Sequence, residues 1–192
     1  MSLPGEEVPA PEPGRLYRLA WWFYLVLALV ALLWIGLRDD TISVALFWNA
    51  ESWWIDLLVG ISGGGLLLGL WHLAARFSRL ARDLELQLGR LLGRLEAPEA
   101  VALAVVSGIG EELFFRGALQ GSVGWFWATL VFALVHTGPG SALRLWGIFA
   151  ALAGGLFGAL LIWRGNLLAP VVAHFLVNAV NLLRIARRNP AV

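Results

Sequence analysis

Long apolar stretches alternate with short charged segments along most of this chain. A helix needs about 20 apolar residues to cross a bilayer, and six stretches approach or reach that length. The pattern therefore predicts an all-α, polytopic transmembrane helix bundle of about six spans, the fourth of which is short. The predicted spans are Leu16–Leu37, Trp54–Ala75, Glu99–Gln120, Ser122–His136, Leu145–Trp163 and Asn166–Ile185.

The segment between the second and third spans has a different pattern. In Arg76–Glu96 the apolar residues recur at steps of three or four, whereas arginines and acidic residues occupy the other faces. This spacing is typical of an amphipathic helix, which we expect to lie on the membrane surface or to pack across the base of the bundle. Residues 1–15, rich in proline and glutamate, predict a disordered cytoplasmic tail, and residues 186–192 predict a basic one.

The composition supports the membrane assignment and limits the possible functions. Hydrophobic residues make up 59% of the chain and charged residues only 14%, whereas an ordinary soluble domain has about 25% charged residues. A net charge of +1 offers no basic surface for a nucleic acid. Because the chain has no cysteine, disulfides, thiolate nucleophiles and Cys-ligated metals are excluded. The expected partner is the lipid bilayer, without any nucleic acid.

The arginines fall unevenly on the two sides of the predicted bundle. With the N-terminus inside, eleven arginines lie on the cytoplasmic side, Arg38 and Arg164 lie on the other side, and Arg116 lies within a span. An excess of positive charge marks cytoplasmic loops. We therefore expect a multi-pass protein of the inner (cytoplasmic) membrane with both termini in the cytoplasm. The acidic residues in or beside the first outer loop are expected to be solvated: Asp39, Asp40, Glu51 and Asp56.

Three predicted spans carry polar side chains at depths where they are costly. A charged residue in mid-span costs about 2.5–3.5 kcal/mol on insertion scales, so such residues mark functional sites. They stand in three short motifs: EELFFR (Glu111, Glu112 and Arg116), FALVH (Phe132 and His136) and HFLVN (His174 and Asn178).

Helical spacing gives the two glutamates different tasks. Glu112 and Arg116 are four residues apart and share a face, so they can form a supporting ion pair. Glu111 points about 100° away from Glu112, so it can face the interior of the bundle. His174 and Asn178 are also four apart and share a face. Together the three motifs offer one available carboxylate, two imidazoles, an amide and a supporting ion pair.

In this order on successive spans, the three motifs resemble those of the CPBP family, the CAAX protease and bacteriocin-processing (Abi) group of intramembrane glutamic endopeptidases. The resemblance covers about residues 99–185 and implies a catalytic core there. Residues 16–98 then supply the N-terminal spans and the amphipathic helix.

The resemblance also implies a role for each motif residue. Glu111 would be the general base that activates a water, and His136 would help to hold that water. His174 and Asn178 would stabilise the oxyanion, while Glu112 and Arg116 would form the supporting pair. The implied activity is a CAAX-protease-like hydrolase that needs no cofactor. Its implied substrates in a bacterial host are membrane-proximal peptides, bacteriocin-like precursors or a partner membrane protein.

Two other interpretations stay open from the residues alone. Glu111, His136 and His174 can be read as a His₂Glu zinc site with an open position for water, so zinc is not excluded. The sequence has no HExxH pair on one helix, which favours the metal-free mechanism. Intramembrane Glu and His also line proton or ion pathways, so a small transporter or a non-enzymatic binding scaffold is the other alternative.

Overall fold

A computed structural model describes residues 15–93 and 95–188, and the regular secondary structure in these residues is helical throughout. A 3₁₀ turn, Val44–Leu46, follows the first helix, and a π-helical segment, Leu113–Gln120, joins the fourth helix to the fifth. The predicted all-α bundle is confirmed. The α-helices are α1 (Arg15–Asp39), α2 (Trp53–Phe77), α3 (Arg79–Leu92), α4 (Ala97–Glu112), α5 (Gly121–Val123), α6 (Trp125–Val135), α7 (Ser141–Arg164) and α8 (Leu168–Arg188).

The predicted tails fall almost entirely outside the described residues. Arg15 already belongs to α1, and residues 186–188 belong to α8. The rest of both segments is not described.

Helices lie at all six predicted spans, but they differ in their suitability for crossing a membrane. Among the described helices, α1, α2, α7 and α8 are long and apolar enough to span a bilayer. The third predicted span is α4 continued by the π-helical segment, and it carries the charged motif. The fourth is α6, whose 11 residues reach about 16 Å at 1.5 Å per residue, about half of a hydrocarbon core.

The third span is not a regular α-helix along its whole length. From Leu113 onward the backbone is π-helical, a wider turn that is frequent at functional sites. The expectation of a 3.6-residue period is therefore wrong beyond Glu112. This segment packs consecutive rings against different helices. Phe114 contacts Trp34 of α1 at a centroid separation of 5.9 Å, and Phe115 contacts Phe132 of α6 at 4.9 Å.

α8 is the central helix and packs against α2, α4 and α7. Its approach to α2 is closest at two glycines. A Cβ atom on Gly60 would lie 2.6 Å from the carbonyl oxygen of Ala169, and one on Gly64 would lie 2.8 Å from that of Ala173. Small residues permit such contact between membrane helices. The two glycines therefore set the distance between α2 and the helix that carries His174.

The amphipathic helix predicted over Arg76–Glu96 is α3, and it packs across one end of the bundle. It ends where Gly93 adopts a φ of 67°, a conformation that glycine reaches without steric cost. Its apolar face buries Leu84 against Trp71 of α2 and Ala142 of α7. Of the two expected placements, the base of the bundle is therefore the one observed.

A buried ion pair closes the opposite end. Asp56 of α2 is fully buried and pairs with Arg164 at the end of α7. Asn166 Nδ2 donates to the same carboxylate at 3.0 Å, and Arg164 Nη2 donates to Ser52 Oγ at 3.1 Å. The expectation of a solvated Asp56 is therefore wrong, because the turn between α7 and α8 folds over the start of α2.

We expect Asp56→Ala to destabilise the protein by about 3–5 kcal/mol, because the substitution leaves the Arg164 guanidinium without its carboxylate. Chemical unfolding in detergent micelles measures this loss. Glu51→Ala is the matched control, since Glu51 is an exposed acidic residue of the same region; its effect should stay within about 0.5 kcal/mol. Equal effects of the two substitutions would show that the buried pair contributes nothing.

Candidate active site

Three polar side chains from separate parts of the chain converge inside the bundle. Glu111 stands near the end of α4, His136 directly follows α6, and His174 lies in α8. His136 Nε2 is 3.5 Å from Glu111 Oε2, and His174 Nε2 is 3.9 Å from the same oxygen. Glu111 and His174 are buried, and the His136 side chain is 18% exposed. Both imidazoles therefore face one carboxylate oxygen.

Hydrogen bonds on the far side of each ring fix the imidazole orientations. His136 Nδ1 lies 2.7 Å from the carbonyl oxygen of Phe132, which can only accept, so Nδ1 carries a hydrogen. His174 Nδ1 lies 2.7 Å from Glu112 Oε1 and donates to that carboxylate. In a neutral imidazole the second nitrogen is then an acceptor. With both rings neutral, the two Nε2 atoms and Glu111 Oε2 present three acceptors to one point, an arrangement suited to a donor such as water; a His174 ring that carries a hydrogen on both nitrogens donates from Nε2 instead.

Glu112 is held by two partners rather than one. Arg116 Nε lies 3.1 Å from Glu112 Oε2, and both side chains are buried. The ion pair expected from their spacing is therefore present. The second partner is His174, which the spacing could not indicate because it lies on another helix. The pair consequently orients an imidazole of the cluster as well as bracing its own helix.

Aromatic rings hold the cationic and imidazole groups in place. The Phe132 ring lies between Arg116, whose Cζ is 4.3 Å from the ring centroid, and His136, whose ring centroid is also 4.3 Å away. Phe157 of α7 stacks on His174 at 5.0 Å with an interplanar angle of 21°. A cation over an aromatic face is stabilised by the ring quadrupole. Phe132 therefore connects the ion pair to the first imidazole.

Asn178 lies one turn beyond His174 on α8 and borders the same cavity as Glu111. Its Nδ2 donates to Ser107 Oγ at 2.9 Å. Ser107 in turn stands one turn before Glu111 on α4. An amide nitrogen carries two hydrogens, so the bond to Ser107 uses one of them and fixes the direction of the other. The bond also ties α8 to α4 beside the cluster.

The cluster borders a cavity of about 380 Å³, a size typical of small-ligand sites. The cavity runs from Glu111 to the inner face of α3 and to the last turns of α8. Its polar margin at that end includes Glu85 and Arg184. Apolar side chains form most of the remaining wall, among them Leu84, Leu88, Leu103, Phe149, Val177 and Leu182.

Tyr24 of α1 is a residue of the site that the sequence motifs do not include. It borders the same cavity as Glu111. The available signal in the sequence is weak, because Tyr24 stands among exposed, lipid-facing aromatic residues such as Trp22 and Phe23. A single hydroxyl in the middle of an apolar span does not identify its partner.

Metal binding depends on the side chains in the part of the chain that the structure describes. No group of three or more His, Asp or Glu side chains there has an arrangement that could hold a metal ion. The cluster itself consists of a carboxylate, two oriented imidazoles and an amide.

The fold and the cluster together define a membrane-embedded helix bundle with a glutamate–histidine centre in its interior. Residues 93–180 match the family described as type II CAAX prenyl endopeptidase Rce1-like. The chain is also similar to the uncharacterized protein YpbD of Bacillus subtilis strain 168, with 33% identity over 91 residues that cover 47% of this chain and 48% of the relative. The chain thus spans about half the length of the curated relative that it matches. No solved structure matches it.

These similarities confirm the resemblance predicted from the three motifs. The matched residues contain α4, the π-helical segment, α6, α7 and most of α8. They leave α1, α2 and α3 outside. Glu111, His136 and His174 all lie in the matched segment, whereas Tyr24 does not.

We expect Arg116→Ala to lower the free energy of unfolding by about 3–5 kcal/mol, because the Glu112 carboxylate would stay buried without a cation. Arg116→Lys should lose less stability than Arg116→Ala, since lysine keeps the charge but not the stacking on Phe132. Arg144→Ala serves as the control, because Arg144 is an exposed arginine at the start of α7. Unfolding curves in detergent measure all three variants. A stability of Arg116→Ala equal to that of Arg144→Ala would contradict a structural role for the pair.

Proposed function

We propose that this protein is an intramembrane endopeptidase of the CAAX protease type that cleaves peptide bonds with a glutamate-activated water. The observation that carries the proposal is the convergence of Glu111 Oε2 with His136 Nε2 and His174 Nε2 inside a membrane helix bundle. The family match of residues 93–180 supports the hydrolase class. The mechanism uses no cofactor.

In the first step Glu111 acts as the general base. A water beside Glu111 Oε2 and His136 Nε2 can lie within hydrogen-bond distance of both atoms, since the two atoms are 3.5 Å apart. Glu111 takes one proton, and the oxygen attacks the carbonyl carbon of the scissile peptide. In the second step the C–N bond breaks, and Glu111 returns the proton to the leaving amine. Protons and electrons balance over the cycle, and the enzyme ends in its starting state.

His174 and Asn178 are the donors to the oxyanion of the tetrahedral intermediate. A carboxylate on Nδ1, here Glu112 at 2.7 Å, allows an imidazole to carry a second hydrogen on Nε2 and to donate it. Asn178 adds an amide N–H that its bond to Ser107 orients. Donors fixed in advance in a water-poor site stabilise an oxyanion by about 2.7–4 kcal/mol each.

The substrates that fit the site are peptides close to the membrane or segments of a partner membrane protein. The cavity of about 380 Å³ has mainly apolar walls beside the cluster, so it favours an apolar segment next to the scissile bond. Its far end lies at α3, on the side of the bundle that the arginine distribution assigns to the cytoplasm. We propose the inner membrane as the location, with both termini in the cytoplasm.

We expect Glu111→Gln to lower peptide cleavage by at least about 10²-fold, because the amide cannot accept the proton of water. The unfolding midpoint should stay near that of the wild type, since the variant is nearly isosteric. The measurement compares membrane peptides of cells that contain either form by mass spectrometry, followed by cleavage of the peptides found with purified protein. Glu51→Gln is the control and should cleave as the wild type does.

The same assay separates the proposal from its alternatives. Cleavage that persists in a strong chelator supports the metal-free mechanism, whereas loss that added zinc restores would favour a zinc site made from the same residues. Identical peptide patterns from wild type and Glu111→Gln, with no cleavage by pure protein, would favour the transporter or scaffold.

The proposed orientation can be tested because the chain has no cysteine. We expect Arg82→Cys, on exposed α3 surface, to react with a membrane-impermeant maleimide only in inverted vesicles. Glu51→Cys, beyond the first span, should react only in intact cells or right-side-out vesicles. The reverse labelling pattern would overturn the orientation.

A further inference from the structure

The first helix contributes one polar group to the cluster. Among the described residues of α1, Tyr24 is the one that borders the Glu111 cavity. It is less exposed than its aromatic neighbours Trp21, Trp22 and Phe23, which face outward. The Tyr24 side chain therefore faces the cavity while the surrounding rings face outward.

A close helix contact places this hydroxyl beside Glu111. Gly110 directly precedes Glu111 on α4, and a Cβ atom there would lie 3.1 Å from the backbone oxygen of Tyr24 and 3.4 Å from its Cβ. A larger residue at Gly110 would push α1 away. The glycine thus lets the backbones of α1 and α4 meet beside Glu111, and the Tyr24 side chain borders the same cavity as the Glu111 carboxylate.

The Glu111 side chain has rotational freedom that a donor on a neighbouring helix would restrict. It has three rotatable bonds, and its Oε2, the oxygen that faces both imidazoles, receives no hydrogen bond from a described side chain. A phenol O–H that donates to a carboxylate forms a charge-assisted bond, which is about twice as strong as a neutral one. A donor from α1 would therefore limit the rotation of the carboxylate without occupying the face that meets His136 and His174.

We propose that Tyr24 is a positioning residue for Glu111, which it holds by a hydrogen bond in the orientation that faces His136 and His174. This inference rests on the proposed function, since it assigns Glu111 the role of base. It extends the site to α1, outside the residues 93–180 that match the family. On this view α1 is part of the catalytic unit and not only a membrane anchor.

The test is Tyr24→Phe, which removes the hydroxyl and keeps the ring. We expect kcat to fall by about 10- to 100-fold, as for the loss of a hydrogen bond to a charged group, while KM stays within about twofold. The thermal midpoint should match that of the wild type, because the ring still packs against Gly110. Tyr17→Phe is the matched control: Tyr17 is the other tyrosine of α1, and it packs against Trp21 instead. Its kcat should not change.

The possible outcomes separate this inference from the proposed function. Wild-type protein that cleaves nothing would refute the proposed function itself. Active wild type with a Tyr24→Phe variant of equal kcat would overturn the positioning role alone. A higher KM at unchanged kcat would also overturn it, since that result assigns Tyr24 to substrate binding. A kcat loss that parallels a lower thermal midpoint would assign it to packing, and Tyr24→Leu supplies the reference for lost packing.

Discussion

The arrangement of this bundle depends on one buried ion pair. Glu112 and Arg116 are both buried, and neither could stay charged in an apolar interior without the other. Each partner also contacts a further element. The second carboxylate oxygen of Glu112 accepts from His174 on α8, and the Arg116 guanidinium covers the Phe132 ring of α6. The need to neutralise two charges in the membrane thus aligns α4, α6 and α8. This alignment brings the imidazoles of His136 and His174 to Glu111.

The features that sequence alone could predict are those set by local spacing and by the cost of burial. Hydropathy located the helices because apolar length is a local property. The Glu112–Arg116 pair could be inferred because residues four apart share a helical face, and the pair forms although the backbone is π-helical from Leu113 onward. The convergence of Glu111, His136 and His174 was foreseeable, since isolated polar side chains in a membrane interior seek one another.

The features that sequence alone could not predict depend on contacts between distant segments. Asp56 resembles any loop carboxylate until the turn after α7 brings Arg164 onto it. The π-helical segment after Glu112 contains ordinary helix-forming residues, and its wider turn accompanies ring contacts with two other helices. Tyr24 is indistinguishable from a membrane-belt aromatic unless the neighbouring helix is known. In each case a partner more than 15 residues away determines the role.

The glycine contact between α2 and α8 has a consequence for how the segment at residues 93–180 can be used. The backbone of Gly64 packs against Ala173, the residue next to His174. The position of that imidazole along the bundle is therefore set by α2, a helix that the family match does not include. A graft of residues 93–180 into another membrane scaffold would carry the motif side chains. It would lack the α2 contact that sets the position of His174. The matched segment is therefore not a portable module, and protein engineering on this fold has to transfer α2 together with it.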